Sequence, residues 1–137
     1  MFFKKDSTET KKNFLVKICA LLIHAAKIDE NYTEKEEEII KKTLLALGAK
    51  KETTTQIIID AKSFEENSNQ ILDFTREVKN LPENEKIKII KAIWSIIYSN
   101  NEADIYETNL MRRLAGLLYI DSKTMGDIKN RIQNQKS

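Results

Sequence analysis

Two side chains in this sequence are of the kind that performs covalent or acid–base chemistry: Cys19 and the single histidine, His24. A nucleophilic thiol needs a base within hydrogen-bond reach. Five residues apart on one helix, the two side chains stand about 140° apart around the axis and do not face each other. Neither has a Ser, His or Asp at helical spacing. The expectation is therefore a buried thiol and a packed imidazole. The chain has no CxxC pair, no HExxH and no glycine-rich phosphate loop. Glu34, Glu36, Glu37 and Glu38 stand in one segment with Lys35, Lys41 and Lys42. Two of the pairs, Glu37–Lys41 and Glu38–Lys42, are spaced i,i+4, which reads as a solvated helix face rather than acid–base machinery. Trp94 lies in an isoleucine-rich run and reads as core, not as a base-stacking platform.

The elements that carry these residues are all helical. Asn13 to Ile28 is apolar around most of its circumference, with Phe14, Leu15, Ile18, Leu21, Leu22, Ala25 and Ala26, as a central helix should be. Thr33 is placed to cap a second helix with Glu36 in the reciprocal position. That helix buries Ile39, Ile40, Thr43, Leu44 and Leu47 and ends at Gly48 in a left-handed cap. A third is predicted over Glu52–Glu65, its start weakened by Thr53, Thr54 and Thr55, and Asn67-Ser68-Asn69 breaks it. A fourth is predicted over Gln70–Lys79. Pro82 suits the first turn of a fifth, a second central helix with Ile87, Ile89, Ile90, Ile93, Trp94, Ile96 and Ile97. Asp104 caps a sixth, with Glu107 three residues on, and Asp121 or Ser122 caps a seventh that ends near Ile132. Ile57-Ile58-Ile59 is the single β-prone run, and its surroundings are helical.

A shift of 71 residues superposes two helix pairs: Ile18 on Ile89, Leu22 on Ile93, Thr33 on Asp104, Glu36 on Glu107, Ile40 on Met111 and Leu47 on Leu118. Each unit is a buried helix, a short polar loop and a capped helix. Two such hairpins bury their apolar faces against each other. The expectation is a pseudo-twofold core, with helices three and four crossing between the hairpins.

The chain has 137 residues, enough for one domain with a real core, and 32% charged residues with a net charge of +2. Residues 1–68 hold 12 basic and 12 acidic side chains, and residues 69–137 hold 11 and 9. This interspersed surface is not a nucleic-acid footprint. One cysteine forms no internal disulfide. No run is apolar and long enough for a transmembrane helix, and Met1-Phe2-Phe3-Lys4-Lys5 lacks the apolar stretch of a signal peptide. The expected layout is all-α, with a flexible or peripheral segment at 1–12, a helical domain at 13–132 and a frayed tail at 133–137. The expected compartment is the cytoplasm.

At the two loops the sequence resembles the TerB family of tellurite-resistance proteins, whose hallmark is Ala-x-Ala-Asp-Gly-x-Ile-x-x-x-Glu, present twice in an all-helical domain. The first copy reads Ala26-Lys27-Ile28-Asp29-Glu30-Asn31-Tyr32-Thr33-Glu34-Lys35-Glu36. The second reads Tyr98-Ser99-Asn100-Asn101-Glu102-Ala103-Asp104-Ile105-Tyr106-Glu107. Phe74-Thr75-Arg76, Pro82-Glu83, Ile93-Trp94 and Arg112-Arg113-Leu114-Ala115 follow the order of a TerB-like group of small stand-alone bacterial proteins. The resemblance covers about Asn13–Ile132. Glu30 and Asn101 stand where the family has Gly, and Asn100 stands where it has Asp.

The resemblance implies a non-enzymatic binding or adaptor domain in bacterial stress response. It implies a protein partner, in related systems often membrane-associated, as with the TerB-type domain of a DnaJ-like membrane co-chaperone. With no J domain and no anchor, this chain is expected to act in trans, through the loop end of its hairpins. The resemblance also implies a divalent-ion site at Asp29, Glu36, Asn100 and Glu107, whose oxygen donors suit Ca²⁺ or Mg²⁺ better than Zn²⁺. Reciprocal capping explains the Glu36 and Glu107 spacing equally well. No cofactor beyond that cation is implied. An enzyme acting on a small substrate is the remaining alternative; a pocket joining His24 to a carboxylate from another helix is what would favour it.

Overall fold

The computed structural model describes the backbone of residues 2–27, 34–68, 72–76, 78–99 and 105–136, and the side chains of 12–27, 34–68, 73–76, 78–99 and 107–134. Among these residues the chain forms seven α-helices and no strand: α1 (Phe2–Ala26), α2 (Glu34–Ala46), α3 (Lys51–Glu66), α4 (Leu72–Thr75), α5 (Glu83–Tyr98), α6 (Ile105–Leu117) and α7 (Ser122–Lys136). The two apolar helices meet at the centre. α1 packs on α5, on α3 and on α2, and α5 in turn carries α7 and α2. Ile18, Leu21, Leu22, Ile89, Ile90 and Ile93 are sealed from solvent. Each fully buried aliphatic side chain contributes roughly 1.5–3 kcal/mol, so the contact between these two helices is a substantial hydrophobic contribution to the fold.

Local chemistry sets the helix ends. Gly48 closes α2 at φ 103°, as the sequence predicts. The Ala49 N–H donates to Leu44 O at 2.9 Å and the Gly48 N–H to Leu45 O at 3.1 Å, the bonding that turns a chain out of a helix. Helix α3 begins on Lys50, whose side chain makes no capping bond. The Thr53 and Thr54 hydroxyls instead donate to the carbonyls of Lys50 and Lys51. Asp121 caps α7, its Oδ1 accepting the Thr124 N–H at 2.7 Å. The caps expected at Thr33 and Asp104 lie outside the described residues.

Three expectations need correction. The fourth helix is not continuous over Gln70–Lys79; a single turn, α4, is followed by a 3-10 turn at Val78–Asn80. The Leu81 N–H closes that turn onto Val78 O at 3.0 Å, and Pro82 beyond it disfavours a helical Leu81. Phe74 and Val78 still reach the core. Helix α7 runs past Ile132 to Lys136, although Ile132 is its last buried side chain among those described.

The third correction concerns the repeat, which is larger than two hairpins. Shifted by 71 residues, the bounds of α2 fall on those of α6, and α3 falls on α7. Thr54, Ile57 and Ala61 of α3 are buried, as are their counterparts Met125, Ile128 and Ile132. α3 lies along α1 as α7 lies along α5. The repeating unit is thus three helices, and α3 belongs to the first copy rather than crossing between the two.

Candidate functional site

The four positions implied by the resemblance divide evenly. Asp29 and Asn100 lie outside the described residues. Glu36 and Glu107 occupy the same place in the first turns of α2 and α6. Both are buried, at 1% and 6% exposure, and both are engaged in interactions. Glu36 is therefore not part of the solvated acidic face; it is the one member of that cluster that turns inward, while Glu34 and Glu38 stay exposed. Burying a carboxylate is costly without compensation. A helix N-terminus supplies N–H donors and a favourable dipole for such a group. As ion ligands, the two would bring hard oxygen donors of the type Ca²⁺ and Mg²⁺ take. Among the described residues, no group of three or more His, Cys, Asp and Glu is placed to hold a metal ion.

Cys19 is sealed in the core at 0% exposure. Burial pushes its thiol up to about 12; Lys62 opposes this and Glu37 adds to it. Such a thiol stays protonated and unreactive at neutral pH. Above it, Lys62 of α3 donates to Glu37 of α2 at 3.3 Å.

His24 does acquire a carboxylate from another helix, a partner that local sequence spacing could not reveal. Its Nδ1 lies 3.3 Å from Glu65 Oε2 on α3. Lys27 donates to the other oxygen, Oε1, at 2.7 Å. The imidazole also packs against Phe74, 5.5 Å between ring centroids, and Phe74 meets Phe64 edge-on at 5.7 Å. Both oxygens of Glu65 are committed, and the cluster pins α3 and α4 to α1. Its geometry is that of a structural joint.

A feature the motif reading missed lies in the second copy. An open cleft of about 560 Å³ runs between α6 and α7, with Trp94 of α5 among its lining residues. Trp94 is 3% exposed, stacks on Tyr98 at 5.8 Å and carries Lys129 Nζ 5.6 Å from its ring. Its Nε1 is buried with no hydrogen-bond partner. Asp121 also lines the cleft. The Thr124 N–H holds its carboxyl below the usual range. The available sequence signal was Gly116 and Gly126, two of the three glycines in the chain, each inside a helical stretch where glycine is unfavourable unless space is needed.

Fold and site together define an internally duplicated, all-helical bundle with paired buried glutamates at the start of each second helix. The family model described as "Tellurite resistance protein TerB" matches residues 15–130, which takes in all but the ends of both copies, and the chain belongs to that family. No curated protein and no solved structure was found to match it. None of the described helices is long and apolar enough to cross a membrane.

Proposed function

We propose that the chain is a non-enzymatic binding module of a tellurite-resistance-type stress response, working in the cytoplasm through a protein partner. Membership of the TerB family carries this reading. The commitment of both catalytic-type side chains to structure supports it: Cys19 is a sealed, protonated thiol and His24 is held against Glu65 and Phe74. The partner surface is the loop end of the two copies, at 29–33 and 100–104. The test is cross-linking and capture from a bacterial lysate with the intact chain and with an Asp29→Ala, Asn100→Ala variant. A partner retained by the first and lost by the second is expected. An identical set of captured proteins for both would sink the proposal.

A second reading, that the protein responds to a divalent cation, is favoured by one observation. Glu36 and Glu107 are buried to a similar degree at equivalent positions, more deeply than a capping box on an exposed helix end requires. Asp29 and Asn100 from the preceding loops would complete an all-oxygen set for Ca²⁺ or Mg²⁺. Amide shifts during Ca²⁺, Mg²⁺ and Zn²⁺ titration test it. Saturable shifts near residues 29–36 and 100–107, abolished by Glu36→Gln or Glu107→Gln, are expected. Unchanged spectra at millimolar ion would leave capping as the role of both glutamates.

A further inference from the structure

The cleft in the second copy has no counterpart in the reading of the loops, and its chemistry is specific. Its volume, about 560 Å³, lies in the range of small-molecule sites. Three residues along it are smaller than their counterparts in the first copy. Ala115 and Gly116 stand where the first copy has Leu44 and Leu45, and Gly126 stands where it has Thr55. A Cβ built at either glycine would meet no atom within 4 Å. In the first copy Leu44 and Ile58 are buried in the core; the second copy has Ala115 and Lys129 at those positions.

Two cations line the cleft, and the tryptophan among its lining residues carries a buried donor with no acceptor. Arg112 and Lys129 line it, and among the described residues neither is ion-paired with a carboxylate. Asp121, also in the lining, is an exposed carboxylate committed to the Thr124 N–H. The Trp94 Nε1–H is a donor taken out of water with no acceptor, a state that is costly unless something supplies one. Lys129 Nζ stands over the Trp94 ring, 5.6 Å from its centroid, so a cation and the indole belong to the same wall of the cleft. Met111 and Met125 supply adaptable apolar walls.

We propose that the cleft between α5, α6 and α7 binds a small amphipathic carboxylate: an alkyl chain laid on Met111 and Met125, and an anionic head received by Lys129, Arg112 and the indole N–H of Trp94. The binding is independent of the loop end and of any metal ion. Gly116 and Gly126 are the residues that make room for the chain.

Trp94 is the single tryptophan, so its emission reports on this cleft alone. The experiment titrates the full chain with octanoate, with octanol as the uncharged counterpart and sodium chloride as the ionic-strength control. A saturable change in emission with octanoate is expected, with octanol weaker by about tenfold or more, as loss of a charge-assisted contact implies. Lys129→Met should weaken octanoate binding by a similar factor. Gly126→Leu, which fills the cleft, should abolish the response while far-ultraviolet circular dichroism stays that of the parent. No saturable change with the parent chain overturns the proposal. Equal binding of octanol, or an undiminished response in a folded Gly126→Leu variant, overturns it as well. Because Lys129→Met leaves the cavity open and the packing of α7 nearly intact, it decides the matter even where Gly126→Leu does not fold.

Discussion

Gly48 and Tyr119, 71 residues apart, hold the same left-handed backbone at φ 103° and 58° and close the same pair of hydrogen bonds. Ala49 N–H donates to Leu44 O and Ile120 N–H to Ala115 O, both at 2.9 Å. The turn that ends the second helix of each copy is thus one turn, built once with glycine and once with tyrosine. A side chain in that region costs roughly 1–2 kcal/mol. Gly48→Ala is expected to lower the unfolding free energy by about 1 kcal/mol. Tyr119→Gly should raise it by less, because the Tyr119 ring carries Lys86 Nζ at 5.7 Å. Urea denaturation of the two variants measures both. A Tyr119→Gly variant less stable than its parent would mean that the ring contact outweighs the backbone cost.

Lys86 is buried at 7% exposure, and its Nζ donates to Leu118 O at 2.9 Å. A lysine of α5 thereby satisfies a carbonyl at the end of α6, where helix carbonyls lack intrahelical partners. Lys88, two residues on, reaches Ala46 O at the end of α2, but at 3.4 Å and in solvent. Lys86→Met keeps the aliphatic stem and strands the carbonyl. It is expected to cost about 1–3 kcal/mol, against about 0.5 kcal/mol or less for Lys88→Met. Equal losses in chemical denaturation would show that burial does not distinguish the two contacts.

The Cys19 thiol gives stability a defined pH dependence. Its folded value is raised to about 12 from 9.0, so the unfolded chain loses the proton first. The contribution is intact below pH 9 and is lost as pH rises from about 9 to about 12, at up to about 1.4 kcal/mol per unit. Cys19→Ala removes this component and leaves the titrating lysines and tyrosines in place. The parent's unfolding free energy should therefore fall more steeply than the variant's between about pH 9 and 11. Parallel curves would show that the thiol is not sealed.

Most of the architecture is legible in the residues, because burial in helices writes itself as apolar periodicity. Ile18, Leu22, Ile89 and Ile93 mark the two central helices, and Gly48 marks the end of α2. The third helix of the repeat is harder to see. Thr54 and Met125, or Ala61 and Ile132, share a buried position without sharing chemistry, so only the fold aligns them. The α4 segment looks longer than it is, since Phe74 and Val78 keep helical spacing across a broken turn. Contacts between distant elements leave no local trace. His24 meets Glu65 across 41 positions, and the cleft arises from residues on three helices. Trp94 is core, as its isoleucine-rich setting implies, and it is also the floor of that cleft. Of the four positions that the family resemblance implies, Glu36 and Glu107 also fall on each other in the repeat; their depth of burial is visible only in the fold.

The two glycines of the second copy also divide the molecule by how readily it opens. Glycine inside a helix costs about 0.5–1 kcal/mol relative to alanine, and Gly116 and Gly126 sit in adjacent helices, α6 and α7. Their counterparts in α2 and α3, Leu45 and Thr55, cost less in a helix than glycine does. Protection against amide exchange should therefore be graded across the duplication, deepest in α1 and α3 and shallowest in α6 and α7, with sub-global opening confined to the second unit. A symmetry of sequence would then be read out as an asymmetry of opening, with the unit that carries the cleft the softer of the two.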